Sequence, residues 1–388
     1  MLLEYAIAFA TIYVAVLFLL IYLEESEEME DPKPEKFPSI SILVPAYNEG
    51  EHIAETLKSL LLLEYPGKRE IIVINDGSKD DTGEQARKFA KKGVIVIDKP
   101  NGGKASAMNV GIKRAKGELV AVLDADSIVA QDALLHMVGY FGEPEIAAVT
   151  PMMKVWESRT PAQKLQKAEY ILNSFTKKLL EQLDAITVTP GPFSIYRASV
   201  FKKLGGFDEE TLTEDQEIAL RMQRANMRIA SSVGAIVYTD APADLRGLYL
   251  QRKRWYTGFL QNIWRYRDLL SPKYGDLGVF VLPVTLGMLV AGIFALLASI
   301  SGILTPPEFR LDFIYADLGA AQVIMLFAFI LGLLITYLAA QRLHEKNSLA
   351  LFATTLIMSP ILTLFWLLII ATAAFNMLSG GKEIWRGG

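Results

Sequence analysis

Two aspartates one residue apart, Asp124 and Asp126, directly follow the apolar run Leu119-Val120-Ala121-Val122-Leu123. Carboxylates at the end of a buried strand are costly to keep charged and unpaired. A divalent cation would hold them together. An all-oxygen site favours Mg²⁺ or Mn²⁺, ions that keep few protein ligands and complete their shell with substrate phosphates. The plainer alternative is a turn carrying two solvated acids. Gly102-Gly103-Lys104 supplies adaptable backbone and a cation, a combination that suits a diphosphate. It is not a P-loop, because the earlier glycine and the Ser/Thr after the lysine are missing, and no GxGxxG fingerprint occurs. Thr213-Glu214-Asp215 opens a predicted helix over Gln216–Arg224. The threonine suits an N-cap with acids in the first turn; equally, one acid could serve as a general base toward an acceptor hydroxyl. Residues 244–268 join Arg246, Arg252, Lys253, Arg254, Arg265 and Arg267 to Trp255, Tyr256, Phe259, Trp264 and Tyr266. Such a helix could lie in a membrane interface. It could also set cations on a leaving diphosphate and an aromatic face under a sugar ring.

These groups need elements to hold them. Between residues 40 and 123, short β-branched runs alternate with amphipathic segments: strands at Ile40–Pro45, Glu70–Asn75, Val94–Asp98 and Leu119–Leu123, helices at His52–Leu63, Asp81–Lys92 and Ala105–Ala115. That alternation predicts βαβ units and an α/β domain on a parallel sheet. Each predicted strand ends in polar, turn-forming residues: Ala46-Tyr47-Asn48-Glu49, Asp76-Gly77-Ser78, the Lys99–Lys104 loop, and Asp124-Ala125-Asp126. In open sheets of this kind ligands bind beyond the carboxyl ends of the strands. Four polar strand ends on one rim therefore predict a site.

The ends of the chain differ from its middle. Residues 2–23 hold one charge, Glu4, and 278–304, 318–340 and 349–378 are further apolar runs, the last interrupted by Pro360. About 20 apolar residues span a hydrocarbon core, so about four transmembrane segments are expected. The first lacks the basic start and small-residue cleavage site of a signal peptide and is expected to stay as an anchor. Loop 341–348 carries Arg342 and Lys346, whereas 305–317 sets Arg310 against Glu308, Asp312 and Asp317. The positive-inside rule then places residues 24–277 in the cytosol, and 24–37 forms an acidic linker. A net charge of −4 gives no basic field for nucleic acid. The absence of cysteine excludes thiolate metal sites, and three scattered histidines make zinc an unsuitable ion.

Taken in order, Val44-Pro45-Ala46-Tyr47-Asn48-Glu49, Asn75-Asp76-Gly77-Ser78, Gly103-Lys104, Asp124-Ala125-Asp126, Gly191-Pro192-Phe193, Thr213-Glu214-Asp215 and Gln251-Arg252-Lys253-Arg254-Trp255 resemble family 2 glycosyltransferases. The branch most similar is the membrane-bound processive one of cellulose, chitin, hyaluronan and poly-N-acetylglucosamine synthases. The resemblance implies a GT-A, Rossmann-like mixed sheet over 38–243, interface helices over 244–277, membrane segments over 278–378 and a tail over 379–388. It implies that Ala46, Tyr47, Glu49 and Asp76 hold the nucleoside of a nucleotide-sugar donor and that Lys104 contacts its diphosphate. Asp124 and Asp126 would bind Mg²⁺ or Mn²⁺, Asp126 foremost. Asp215, beside Glu214, would be the base of an inverting, β-linking transfer. Gln251, Arg252 and Arg254 would steady the leaving nucleotide, Trp255 would stack under the acceptor sugar, and Gly191, Pro192 and Phe193, followed by Tyr196 and Arg197, would wall the acceptor side. Trp385 and Arg386 resemble the tail of that branch. Asn75 departs from the pattern, where an Asp is usual, and the spans are fewer than in well-known polymerising members. The expected function is extension of a β-linked glycan from UDP-N-acetylglucosamine or UDP-glucose at the plasma membrane. The alternatives are a single transfer onto a lipid acceptor (a polyprenyl phosphate or diacylglycerol) and, remotely, a non-catalytic channel or scaffold. An accessory subunit and membrane lipid complete the expected partners.

Overall fold

The computed structural model describes residues 2–24, 30–304, 318–343, 345, 353, 356 and 365–377. Helix α1 (Leu2–Glu24) precedes a regular alternation of β1 (Ile40–Ala46), α2 (Ile53–Leu61), β2 (Arg69–Asn75), α3 (Thr82–Arg87), β3 (Val94–Asp98), α4 (Lys104–Arg114) and β4 (Leu119–Val122). The second half adds β5 (Ile128–Val129), α5 (Ala133–Val138), β6 (Ile146–Val155), α6 (Pro161–Gln182), β7 (Ser194–Arg197), α7 (Ala198–Leu204), α8 (Glu214–Arg224), β8 (Arg228–Thr239) and α9 (Leu245–Arg265). Helices α10 (Leu282–Leu304) and α11 (Leu318–Arg342) follow.

The eight strands form one mixed sheet in the order β3-β2-β1-β4-β7-β6-β8-β5. β1 to β4 are mutually parallel, as the sequence alternation predicts. β7 is antiparallel to both β4 and β6, and β8 is parallel to β6. A single inversion flanked on both sides returns β6 and β8 to the direction of β4. Their carboxyl ends therefore open on the same rim as Asp124.

The central strands are mostly apolar because helices cover both faces. Every residue of β1 is buried. Ile42 and Val44 face the layer of α2 and α5, whereas Leu43, with Ile72 and Ile74 of β2, faces α4. Burying Ile53, Leu57 and Leu60 of α2 contributes about 1.5–3 kcal/mol per side chain. Gly111 lets α4 press against the sheet, since a Cβ there would lie 2.9 Å from Ile74 Cδ1. That close approach sets Lys104, the first residue of α4, over the end of β4. The predicted helix 81–92 is shorter than expected. It stops at Arg87, and a 3₁₀ turn at Ala90–Lys92 carries the buried Phe89 into the core before Gly93 (φ 90°) turns the chain into β3.

The acidic segment ahead of the domain is not merely solvated. Asp31 accepts hydrogen bonds from Tyr140 Oη (2.8 Å), Ser232 Oγ (2.9 Å) and the backbone N–H groups of Val233 (3.2 Å) and Gly234 (2.8 Å), with His136 Nδ1 at 3.1 Å. Behind it, buried Lys178 donates to Tyr140 Oη at 3.0 Å and pairs with Glu181 at 2.9 Å. A carboxylate with this many donors is a latch that fixes where the linker meets the sheet. Asp31→Ala leaves those donors unpaired and is expected to lower stability by about 1–3 kcal/mol. Urea unfolding checks this; a variant as stable as the parent would show the latch to be idle.

Counted over the described residues, no helix is long and apolar enough to cross a membrane. The segments 278–304 and 318–340 nevertheless fall on α10 and α11. Most of 349–378, and the tail with Trp385 and Arg386, lie outside the described residues.

Candidate active site

The rim gathers chemistry from four directions. Lys104 Nζ lies 2.5 Å from Asp124 Oδ1 and 3.5 Å from Glu214 Oε1. It thus bridges the end of β4 to the start of α8. Gly191 packs over this bridge, where a Cβ would lie 2.9 Å from both carboxylate oxygens of Asp124. Its loop is tied to α8 by Thr189, whose N–H (3.2 Å) and hydroxyl (2.9 Å) both donate to the Asp215 carbonyl. Tyr196 Oη in turn donates to Thr189 Oγ1 at 2.9 Å. The Thr213 side chain makes no cap bond of its own. Instead Asn262 of α9 donates to its hydroxyl at 3.0 Å, and Gly258 leaves room for the approach. Thr213 holds the N-cap position with Glu214 and Asp215 in the first turn, and the Asp215 carboxylate accepts the Gln216 N–H at 2.8 Å, so the helix-end role and a place at the rim coexist.

Electrostatics separate the acids. Loss of hydration, then the neighbouring Glu214 carboxylate, raises Asp215 from the ordinary aspartate range to about 6; Lys104 and Arg254 oppose the rise. Asp126 is raised by lost hydration and then by Asp124. Glu49 is raised by lost hydration and then by Asp126, while a hydrogen bond with His52 at 3.0 Å works the other way. Lost hydration works against the Lys104 charge, but Asp124 and Glu214 outweigh it and hold the ammonium firmly protonated. Lys104 thus pairs directly with Asp124 and lies near Glu214, whereas Asp126 receives the Ser127 hydroxyl at 3.0 Å and feels Lys104 only through its field. A carboxylate whose charge is disfavoured by lost hydration and by a neighbouring acid is suited to a cation. Among the described residues no group of three or more His, Cys, Asp or Glu side chains could hold a metal by itself. Asp126 with Asp124 fits an ion that takes few protein ligands and the rest from phosphates.

Other predicted residues are placed differently. The Asp76 carboxylate is buried and engaged by Lys99 Nζ and by the N–H groups of Gly102 (3.0 Å) and Gly103 (2.8 Å). It builds the loop that delivers Lys104. Asn75 donates to Asp98 at 2.8 Å and accepts from the Ser78 N–H at 3.2 Å. An aspartate there would face Asp98 as a second acid. Ala46 is buried at the end of β1, with Tyr47 and Glu49 partly exposed just beyond. The residues expected to wall the acceptor side are placed at different depths. Pro192 and Phe193 are buried, Phe193 lies in the core at φ 62°, and Tyr196 is buried beneath the sheet. Arg197 donates to the carbonyls of Phe141, Glu143 and Ile146, away from the rim. Only Gly191 of that run meets the acids.

Arg252, expected beside the leaving nucleotide, lies deep in the packing. Its side chain is 1% exposed and bonds Glu169 Oε2 and Gln251 Oε1, each at 2.6 Å. Both terminal nitrogens of the guanidinium are engaged by that pairing. Arg254, about 200° further round the helix, instead contributes to the field at Asp215. Trp255 is partly buried beside Val155 and Ala241, at the rim ends of β6 and β8. Sequence reasoning missed Thr189, Asn262, Glu169 and Tyr170. Only Thr189 carries any sequence signal, by its place two residues ahead of Gly191.

Residues 41–205 match the model of glycosyl transferase family 2. The chain carries a family 2 glycosyltransferase domain. It is 35% identical over 233 residues to poly-β-1,6-N-acetyl-D-glucosamine synthase of Staphylococcus epidermidis, covering 58% of this chain and 56% of that protein. A synthase of the same name from Staphylococcus aureus strain COL is 35% identical over 232 residues, covering 59% and 56%. The chain thus aligns with little more than half the length of these curated relatives. Among solved structures, a mannosyltransferase from Pyrobaculum calidifontis, in complex with GDP-Man and Mn²⁺, superposes with a TM-score of 0.64 over 98% of this chain and 99% of that one. At 19% identity the likeness shows the fold of the glycosyltransferase domain and its flanking helices.

Proposed function

We propose that this chain is a membrane-embedded inverting glycosyltransferase that extends a β-linked glycan from a UDP-sugar, UDP-N-acetylglucosamine foremost. The observation that carries the reading is the meeting, on one rim, of the Asp124–Asp126 pair, the Lys104 bridge and Asp215 raised to about 6. The synthases that are 35% identical support the sugar class. In the proposed reaction Asp215 takes the proton of an acceptor hydroxyl, whose oxygen attacks the anomeric carbon from the face opposite the diphosphate. The bond to the diphosphate breaks, and Lys104 and Arg254 offset the charge released on the departing nucleotide. Mg²⁺ or Mn²⁺, held by Asp126 and Asp124, would supply further positive charge to that diphosphate. Asp76 acts from behind by shaping the loop that presents Lys104.

Membrane placement belongs to the same proposal. Helices α1, α10 and α11 lie on the apolar runs from which the sequence predicts membrane segments. Phe9, Leu20 and Leu23 on α1, and Leu326, Phe327 and Ile330 on α11, are exposed. Lys167 meets Glu345 at 2.6 Å, which holds the end of α11 against the catalytic domain. That contact agrees with a cytosolic domain and a basic inner loop. Trp264, Leu245 and Leu250 on α9 are exposed as an interfacial helix requires.

Detergent-purified protein incubated with labelled UDP- and GDP-sugars and Mn²⁺ tests the reading. Long chains from UDP-N-acetylglucosamine alone are expected. A single-sugar, solvent-extractable product would make this a lipid glycosyltransferase, and a product from GDP-mannose alone would overturn the donor.

A further inference from the structure

Arg252 is among the largest fully buried side chains, and its surroundings are unusual for a cation. The guanidinium lies 3.9 Å from the ring centre of Trp255, 5.4 Å from that of Trp366 and 5.8 Å from that of Tyr170. Its carboxylate partner is Glu169 on α6, at 2.6 Å. Its Nε has no hydrogen-bond partner. The terminal nitrogens are held by Glu169 and Gln251, at 2.6 Å each. Stacking adds to those bonds, because residues three apart on a helix share a face and a guanidinium lies favourably over an indole. Glu169 and Tyr170 come from α6, Arg252 and Trp255 from α9, and Trp366 from the helical residues 365–377. Three separate parts of the chain thus surround one guanidinium, and the guanidinium stacks on the Trp255 indole.

We propose that Glu169 and Arg252 are positioning residues that fix the plane of Trp255 so that it can receive the acceptor sugar. The inference rests on the proposed transfer reaction and on the role that the family resemblance implies for Trp255, a platform under the acceptor sugar. Arg254 and Trp255 are sequence neighbours, one coupled to Asp215 and the other seated between β6 and β8. A tilt of the indole would shift the acceptor hydroxyl relative to Asp215 and leave the donor pocket alone. Without Glu169 the buried guanidinium keeps the ring faces, the Gln251 amide and the Tyr170 hydroxyl but loses its carboxylate, and it should turn toward water. The indole then loses the plate that holds it.

The experiment compares Glu169→Ala and Glu169→Gln with the parent, in the full chain, for transfer to acceptor and for hydrolysis of the donor by water. Glu169→Ala is expected to raise the acceptor KM about tenfold or more, since small displacements from a remote change cost this much. Donor KM and donor hydrolysis should stay within about threefold of the parent. Glu169→Gln keeps an acceptor for the guanidinium and should recover most of the loss. Equal losses in transfer and hydrolysis, or an unchanged acceptor KM, would overturn the proposal. A second readout does not depend on turnover. The near-ultraviolet circular dichroism contributed by Trp255, taken as the difference from Trp255→Phe, should change in the Glu169→Ala background. An unchanged signal would overturn the positioning role even if no donor were turned over, whereas absence of transfer in the parent would sink only the functional reading.

Discussion

Asp215→Asn is expected to cut the turnover of sugar transfer about 10³-fold, within the range lost when a general base is removed. Donor affinity should move less than about threefold, because the amide keeps the shape of the carboxylate and Lys104, Asp124 and Asp126 are untouched. Titration calorimetry with the nucleotide and turnover assays on the same preparation separate the two. The parent enzyme should also show an acid limb in kcat/KM. A base works only when deprotonated, and Asp215 sits at about 6, so activity falls tenfold per pH unit below that value. The variant should lose this limb. Stability provides the control for misfolding. In the parent, a carboxylate raised on folding costs stability above its folded value; that cost shrinks as pH falls from about 6 and is gone below the unfolded aspartate range. Without donor, Asp215→Asn should therefore melt higher than the parent at pH 7 and level with it in strong acid. Near-normal turnover in the variant would mean that another group takes the proton.

Asp126→Asn should act on binding instead. If the divalent ion and the donor diphosphate are held through this carboxylate, neutralising it costs at least about 2 kcal/mol, or about 30-fold in donor affinity with Mn²⁺ present. The residual affinity should no longer depend on the metal. Chelation of the parent protein should reproduce the loss, and added Mn²⁺ or Mg²⁺ should reverse it. Asp126 is the more sensitive of the pair, because Lys104 already compensates Asp124 at 2.5 Å. A variant that kept metal-dependent donor binding would place the ion elsewhere.

The two predictions draw on residues whose sequence and structural signals differ in strength. The strands β1 to β4 lie within a residue or two of the apolar runs that predict them. The reason is physical: a strand buried on both faces is mostly apolar, so its limits are written locally. The polar strand ends were legible for the same reason, since a parallel α/β sheet leaves its carboxyl edge open. Asp124, Asp126 and Lys104 could thus be nominated from composition and order alone, whereas the choice of Asp215 as base came from the family resemblance.

Local sequence could not say which way a side chain turns once helices pack. Arg252 and Arg254 look alike in the string Gln251-Arg252-Lys253-Arg254-Trp255. Helical rotation sends the first into a pocket made by Glu169, over 80 residues earlier, and leaves the second in the field of Asp215. Phe193 and Tyr196 followed a promising Gly-Pro pair, yet core packing claimed both. Asp31 sat in an acidic stretch whose composition signalled solvent, and it became a latch because Ser232, Val233, Gly234 and Tyr140 supply donors from distant parts of the chain. Sequence determined where the rim lies and which acids stand on it. Only tertiary structure decided which cations face those acids, because that depends on contacts between residues far apart in the chain.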